Sequence, residues 1–208
     1  ITPLFKKGSR HDPENYRPIA LTATMCKLME GIIKNQLLGF LLRKGIISKN
    51  QHSFISNHFT CTNLLECTHD WLVTLNSSHT TDIIYIDFSH AFDGIVDNKL
   101  LCKLENYGIT GKLLHWISSF IQDRYQCVVI ENSFSSVAKV ISGVPQGSVL
   151  GPILFIIFIN DIESFCHGQT NIKLFADDAK LYSAIDSKDR ALSLQLSLNN
   201  PATWAGSW

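Results

Sequence analysis

The tetrad Phe175-Ala176-Asp177-Asp178 closes one apolar run, Ile172 to Phe175, and precedes a second, Leu181-Tyr182. Two short runs separated by so few residues predict a β-hairpin with the acidic pair at its tip. Adjacent carboxylates repel, so a tight turn presenting both calls for a cation or a phosphate-bound metal beside it. On these four residues alone, a solvated turn is the more economical account. Other segments of the chain shift that balance.

Ninety residues earlier, Asp82-Ile83-Ile84-Tyr85-Ile86-Asp87 reads as a strand rich in β-branched and aromatic residues that ends in a carboxylate, followed by Phe88 to Asp93. A third segment, Ser142-Gly143-Val144-Pro145-Gln146-Gly147-Ser148, is a loop of small residues opening into the apolar stretch Val149 to Ile159. Its glycines would let backbone approach a nucleotide or base pair closely, and Gln146 offers both a donor and an acceptor. An ordinary turn is the competing reading of that loop.

Around these segments the periodicity predicts a helix from about Met25 to Lys44, with Leu28, Ile32, Leu37 and Leu41 on one stripe and Gly45 as its stop. Further helices are expected over Cys61 to Leu75, Asn98 to Tyr107 and Lys112 to Gln122. Gln126 to Glu131 and Ser136 to Ile141 read as one hairpin turning at Asn132-Ser133. The run from Val149 is expected to be a buried helix, although periodicity alone leaves a strand open. Irregular alternation of strands and helices, with a hairpin carrying the carboxylates, indicates an α+β fold.

With 208 residues and 45% apolar content, the chain can bury one sizeable core. Its longest apolar run, Ile153 to Ile159, is too short to span a bilayer, and no signal segment is read at its start, so an intracellular protein is expected, in nucleus or cytoplasm. Six cysteines without a C-x-x-C pair indicate neither a zinc site nor a disulfide framework. The zero formal net charge hides an asymmetry. Residues 1–50 carry nine Lys or Arg against three Asp or Glu, and the remainder nine against fifteen. A basic part facing an acidic part suits a protein that binds phosphates with one and metals with the other.

Taken together and in order, these segments resemble the reverse transcriptases of non-LTR (LINE-type, jockey-like) retrotransposons over nearly the whole chain. Pro3 to Gly8 and Asn15 to Ile19 resemble the family's first fingers block, and Gln51-His52-Ser53-Phe54 its second. Asp87 to Asp93, Ser142 to Pro152 and Phe175 to Asp178 resemble its three palm motifs. The resemblance implies a polymerase palm, an antiparallel sheet with packed helices, plus fingers. The fingers would occupy about residues 1–80, mainly palm 81–190 and the start of a thumb 191–208, with the thumb itself missing.

The implied activity is RNA-directed DNA synthesis, with Asp87, Asp177 and Asp178 as catalytic residues and as ligands of two Mg²⁺ ions, for which Mn²⁺ could substitute. The implied partners are an RNA template, a DNA primer and deoxynucleoside triphosphates. Phe92 would gate the sugar, Gln146 and Gly147 would support the base pair and template, and Arg17, Lys6 and Lys7 would meet triphosphate or template backbone. Departures from the pattern are also present. Ser53, Ile55, Ser56, Asn57 and His58 stand where the second fingers block has Gly-Phe-Arg and further basic and glycine residues, and His90 replaces a Lys. A decayed or co-opted copy that binds nucleic acid or a partner without catalysis is the alternative.

Overall fold

The computed structural model describes residues 1–89 and 91–207, apart from the side chains of 201–203 and 205–207; the departure noted at His90 and the terminal Trp208 lie outside the described residues. In chain order the elements are β1 (Thr2–Phe5), β2 (Tyr16–Ile19), α1 (Thr24–Arg43), α2 (Thr60–Asn76), β3 (Thr80–Asp87), α3 (Asp97–Asn106) and α4 (Gly111–Ile121). They continue with β4 (Tyr125–Gln126), β5 (Val129–Ile130), β6 (Ser133–Phe134), β7 (Ala138–Lys139), α5 (Gly151–Ile159), β8 (Asn171–Phe175), β9 (Asp178–Ile185) and α6 (Lys188–Ser207). This is a mixed helix and sheet fold. No helix among the described residues is long and apolar enough to cross a membrane.

The chain forms two units, each assembled from two stretches. The first comprises residues 1–44 and 92–155, and the second 45–91 and 156–208, with the boundary falling inside α5. That helix is apolar on every side, and Ile153 through Ile159 are all buried, as a helix with no polar face must be.

In the first unit, β1 and β2 form an antiparallel hairpin, and α3 packs against α4. The positive φ of Gly108 (+86°) ends α3 in the left-handed region that glycine adopts without steric cost. The stripe expected along α1 holds only in its second half. Leu37 and Leu41 are buried, whereas Leu28 and Ile32 are 59% and 63% exposed. Glu30 is buried instead, and its Oε2 accepts from the backbone N–H groups of Val149 (2.7 Å) and Leu150 (3.0 Å). Those donors open α5, where the helix dipole and the unpaired N–H groups favour an anion. The need for a carboxylate there overrides the apolar pattern of α1.

The hairpin expected over 126–141 is also corrected. It consists of two separate two-residue ladders, β4 with β7 and β5 with β6. Between them, Val128 N–H donates to the Ser135 hydroxyl rather than to a carbonyl (2.9 Å), and Val129 N–H donates to Ile1 O (2.9 Å). A side-chain acceptor that competes with the ladder breaks it in two.

The second unit is built on a three-stranded antiparallel sheet in the order β3-β9-β8. Alternation along β8 and β9 sends Ile172, Leu174, Ala179 and Leu181 to one face, where all four are buried. The other face carries Lys173, Lys180 and Tyr182, and α2 covers it. The Tyr182 hydroxyl donates to Asp70 (2.5 Å), and its ring meets Trp71 edge-on at 6.0 Å. The helix α6 packs along β9. Its Trp204 is buried, donating to Asp161 (2.9 Å) and meeting the rings of Phe88 and Phe158.

Candidate active site

The carboxylates that lie ninety residues apart in sequence meet at one end of the second unit's sheet. Asp87, the last residue of β3, is the direct cross-strand partner of Asp178, the first of β9. Directly opposite residues of an antiparallel pair project from the same face with Cβ atoms roughly 4.5–5.5 Å apart. Asp178 also pairs with Phe175, so Ala176 and Asp177 alone form the turn between β8 and β9. Asp87 and Asp178 are exposed and Asp177 is half-buried. The pair lines an open cleft of about 360 Å³ together with Thr60, Asn63, Tyr85 and Phe175.

Among the described residues, no group of three or more His, Cys, Asp or Glu side chains is gathered closely enough to cage a metal ion. Asp87 and Asp178 stand opposite each other in the register of β3 and β9, with Asp177 on the adjoining turn. That fits Mg²⁺, a hard cation that takes oxygen ligands and is usually held by one or two carboxylates, completing its shell with water and substrate phosphates.

The acidic turn is anchored by a buried segment that sequence reading treated only as part of a fingers block. Gln51 forms a parallel bridge with Leu174. Leu174 N–H donates to Asn50 O (2.8 Å), and His52 N–H donates to Leu174 O (3.0 Å). From this edge, Ser53 Oγ (2.8 Å) and Gln51 Oε1 (3.2 Å) both accept from Ala176 N–H. Ala176 has φ +54°, a left-handed conformation that costs an L-residue about 1–2 kcal/mol. Two acceptors on one amide offset part of that cost.

Helix α2 supports the same sheet end through charged groups. Asn63 accepts from Lys180 Nζ (2.6 Å), and Lys173 Nζ donates to Glu66 (2.6 Å) and to Asn50 (2.9 Å). The Lys173 hydrogen bond holds the Glu66 carboxyl below its ordinary range. Burial pushes the His52 imidazole down, against the opposing pull of Glu66. The Tyr182 phenol is pushed up by burial and by donating to Asp70.

The other predicted residues belong to the first unit. The Phe92 ring stacks on Phe155, with centroids 4.3 Å apart and planes 17° from parallel. Gln146 Nε2 donates to both oxygens of Asp93 (2.9 and 3.0 Å). The close approach that the loop glycines permit is to the chain's own backbone. A Cβ on Gly143 (φ +86°) would lie 2.7 Å from Asp93 Cα, and one on Gly147 (φ +95°) 3.0 Å from Ala20 O. Ala20 N–H donates to Gln146 O (2.7 Å), which ties the loop to the end of β2. Arg17 on β2, and Lys6 and Lys7 just after β1, are exposed.

Two residues of this unit were not singled out from sequence. Asp93 and Arg124 line, with Gln146, a cleft of about 640 Å³. Arg124 donates to the carbonyls of Ile121 (2.6 Å) and Gly143, pinning the loop to the end of α4. Burial lowers its affinity for the proton, while neighbouring Asp97, itself pushed up by burial, acts in the opposite sense. A single cation between an apolar helix and a strand is the one signal that could have drawn attention to it.

Comparison with known proteins gives a consistent result. The family described as "Reverse transcriptase (RNA-dependent DNA polymerase)" matches residues 5–208. The chain is 30% identical to the probable RNA-directed DNA polymerase from transposon BS of Drosophila melanogaster, over all of this chain and 24% of that protein. It is also 30% identical to the RNA-directed DNA polymerase from mobile element jockey of Drosophila funebris, again over all of this chain and 24% of the relative. The chain thus spans about a quarter of the length of these curated relatives. Among solved structures, apo telomerase from Candida tropicalis, truncated from its C-terminal domain, superposes with a TM-score of 0.60 at 15% identity, over 84% of this chain and 38% of that one. This likeness supports a polymerase fold. The ordered motifs, the hairpin that carries the acidic pair and the family match lead to one conclusion: the chain belongs to the reverse transcriptase family, within its non-LTR retrotransposon branch.

Proposed function

We propose that this chain supplies the nucleotidyl-transfer centre of an RNA-directed DNA polymerase, extending a DNA primer on an RNA template with deoxynucleoside triphosphates. The observation that carries the reading is the direct pairing of Asp87 with Asp178 beside Asp177 at the hairpin tip. In this reading the sheet of the second unit is the palm, and the β1–β2 hairpin belongs to the fingers. Two Mg²⁺ ions held there, or Mn²⁺ in their place, would supply charge for activating the primer 3′-hydroxyl and stabilising the leaving pyrophosphate.

The chain's own residues perform the rest. Asp87 and Asp178 line the cleft, and Asp177 on the adjoining turn would add a third anionic group. Phe92, backed by Phe155, is a flat apolar wall suited to lie against a sugar that lacks a 2′-hydroxyl. Asp93 fixes the orientation of the Gln146 amide, and with Gly147 that amide would support the base pair and template. Arg17, Lys6 and Lys7 are free to reach phosphates, and the first unit as a whole carries thirteen Lys and Arg against eight Asp and Glu.

The test is single-nucleotide primer extension on an RNA template with Mg²⁺, comparing the chain with Asp177→Asn. The substitution removes a ligand charge at nearly constant volume, and incorporation should fall at least about a hundredfold. Undiminished incorporation by Asp177→Asn would remove the carboxylate from the chemistry.

A further inference from the structure

The left-handed residue of the acidic turn is Ala176, and its amide points into a buried pocket of acceptors rather than toward solvent. Gln51 and Ser53, each 2% exposed, provide those acceptors. Their arrangement is directional. Ser53 O–H donates to Gln51 Oε1 (2.9 Å), which leaves the lone pairs of the hydroxyl oxygen for Ala176 N–H (2.8 Å). Gln51 Oε1 also accepts from Ser53 N–H (3.0 Å) and from Ala176 N–H (3.2 Å). With donors on every side, the side-chain oxygen and not the nitrogen must occupy this position. Gln51 Nε2 has no hydrogen-bond partner among the described residues, so the contacts of this amide with the turn pass through one oxygen.

The acceptors are tied to the strand that leads into the turn. Backbone hydrogen bonds of Asn50 and His52 to Leu174 register the segment on β8 two residues before Ala176. Fixing the Ala176 amide fixes the peptide plane between Phe175 and Ala176, and through it the position from which the chain enters Asp177 and Asp178. We propose that Ser53, oriented by Gln51, is a positioning residue that sets the geometry of the acidic turn and thereby its affinity for divalent cations. The role rests on the reading of Asp87, Asp177 and Asp178 as a metal site. It differs from a packing role in that removing one hydroxyl alters cation binding while the core stays intact.

Two measurements on the 208-residue chain test this: exchange of the Ala176 amide hydrogen followed by NMR, and Mn²⁺ affinity followed by electron paramagnetic resonance. Both are made on the wild type, Ser53→Ala, Ser53→Thr and Asp177→Asn. The Ala176 amide should be protected in the wild type and exchange faster in Ser53→Ala. Mn²⁺ binding should weaken about three- to tenfold in Ser53→Ala, the loss expected for one hydrogen bond. Thermal unfolding should move little, and Ser53→Thr, which keeps the hydroxyl, should restore both signals. If Asp177→Asn weakens Mn²⁺ binding but Ser53→Ala does not, the positioning role is overturned and the metal site stands. Wild-type Mn²⁺ affinity in Asp177→Asn overturns the metal site and the positioning role with it. An unprotected Ala176 amide in the wild type overturns the positioning role whatever the variants do.

Discussion

The glycine loop of the first unit and the acidic turn of the second both place residues in left-handed backbone conformations among close neighbours, and they do so by opposite means. Gly143 can hold φ +86° against the backbone of Asp93 because it has no Cβ to strike it. Ala176 adopts φ +54° with its Cβ in place, stabilised by two side-chain acceptors on its amide. The loop is therefore fixed by the absence of a side chain, and the turn by the presence of two others. The charges of the units differ in the same spirit. The first carries thirteen basic against eight acidic residues and the second five against ten, so phosphate attraction and cation attraction are concentrated in different parts of the chain.

This contrast predicts a ranking of substitutions. Gly143→Ala should be the most damaging, because it adds an unfavourable φ to a backbone clash that no rotamer can relieve. A loss of about 3 kcal/mol is expected, measurable by urea unfolding. The reverse change in the second unit, Ala176→Gly, should lie within about 1 kcal/mol of the wild type. Relief of the left-handed strain there is nearly balanced by the entropy of a new glycine. Equal destabilisation by the two substitutions would dissolve the distinction.

The smallest effect concerns pH. His52 sits between the two acceptors of the turn, and burial lowers its pKa in the folded chain. The folded state thus favours the neutral ring. Its contribution to stability is complete above about pH 6.5, the ordinary histidine value, and is lost as pH falls from there toward the lower folded value. Glu66, whose pKa is lowered as well, loses its contribution in a separate and more acidic window, below 4.5. Thermal melts between pH 7.5 and 5.5 should show a shallow decline in the wild type and a flatter profile in His52→Gln. Identical profiles would mean that the ring titrates normally in the folded chain.

These residues also show what a sequence can disclose. The acidic hairpin was legible because its signals are local: two short apolar runs and a two-residue turn. The pairing of β3 with β9 brings Asp87 to Asp178, and periodicity could define each strand but not their register. The helix over 151–159 needed the structure to separate it from a strand, since a run that is apolar throughout has no period. Glu30 was missed for the converse reason. Its burial serves the N-terminus of α5, about 120 residues away in sequence, and nothing within α1 announces it. Ser53 departs from the family pattern in sequence, yet its hydroxyl accepts from the amide of the turn. Chemistry of that kind depends on a neighbour that sequence order does not bring close.

In the proposed centre Asp87 joins the acidic turn in one cation site. The discriminating measurement is Mn²⁺ affinity in the wild type and in Asp87→Asn, because Asp87 is remote in sequence and lies outside the two-residue turn. Binding at least about tenfold weaker in Asp87→Asn, with unchanged thermal stability, is expected. Wild-type affinity in that variant would contradict it, leaving Asp87 and Asp178 as neighbours on a sheet that share no ion.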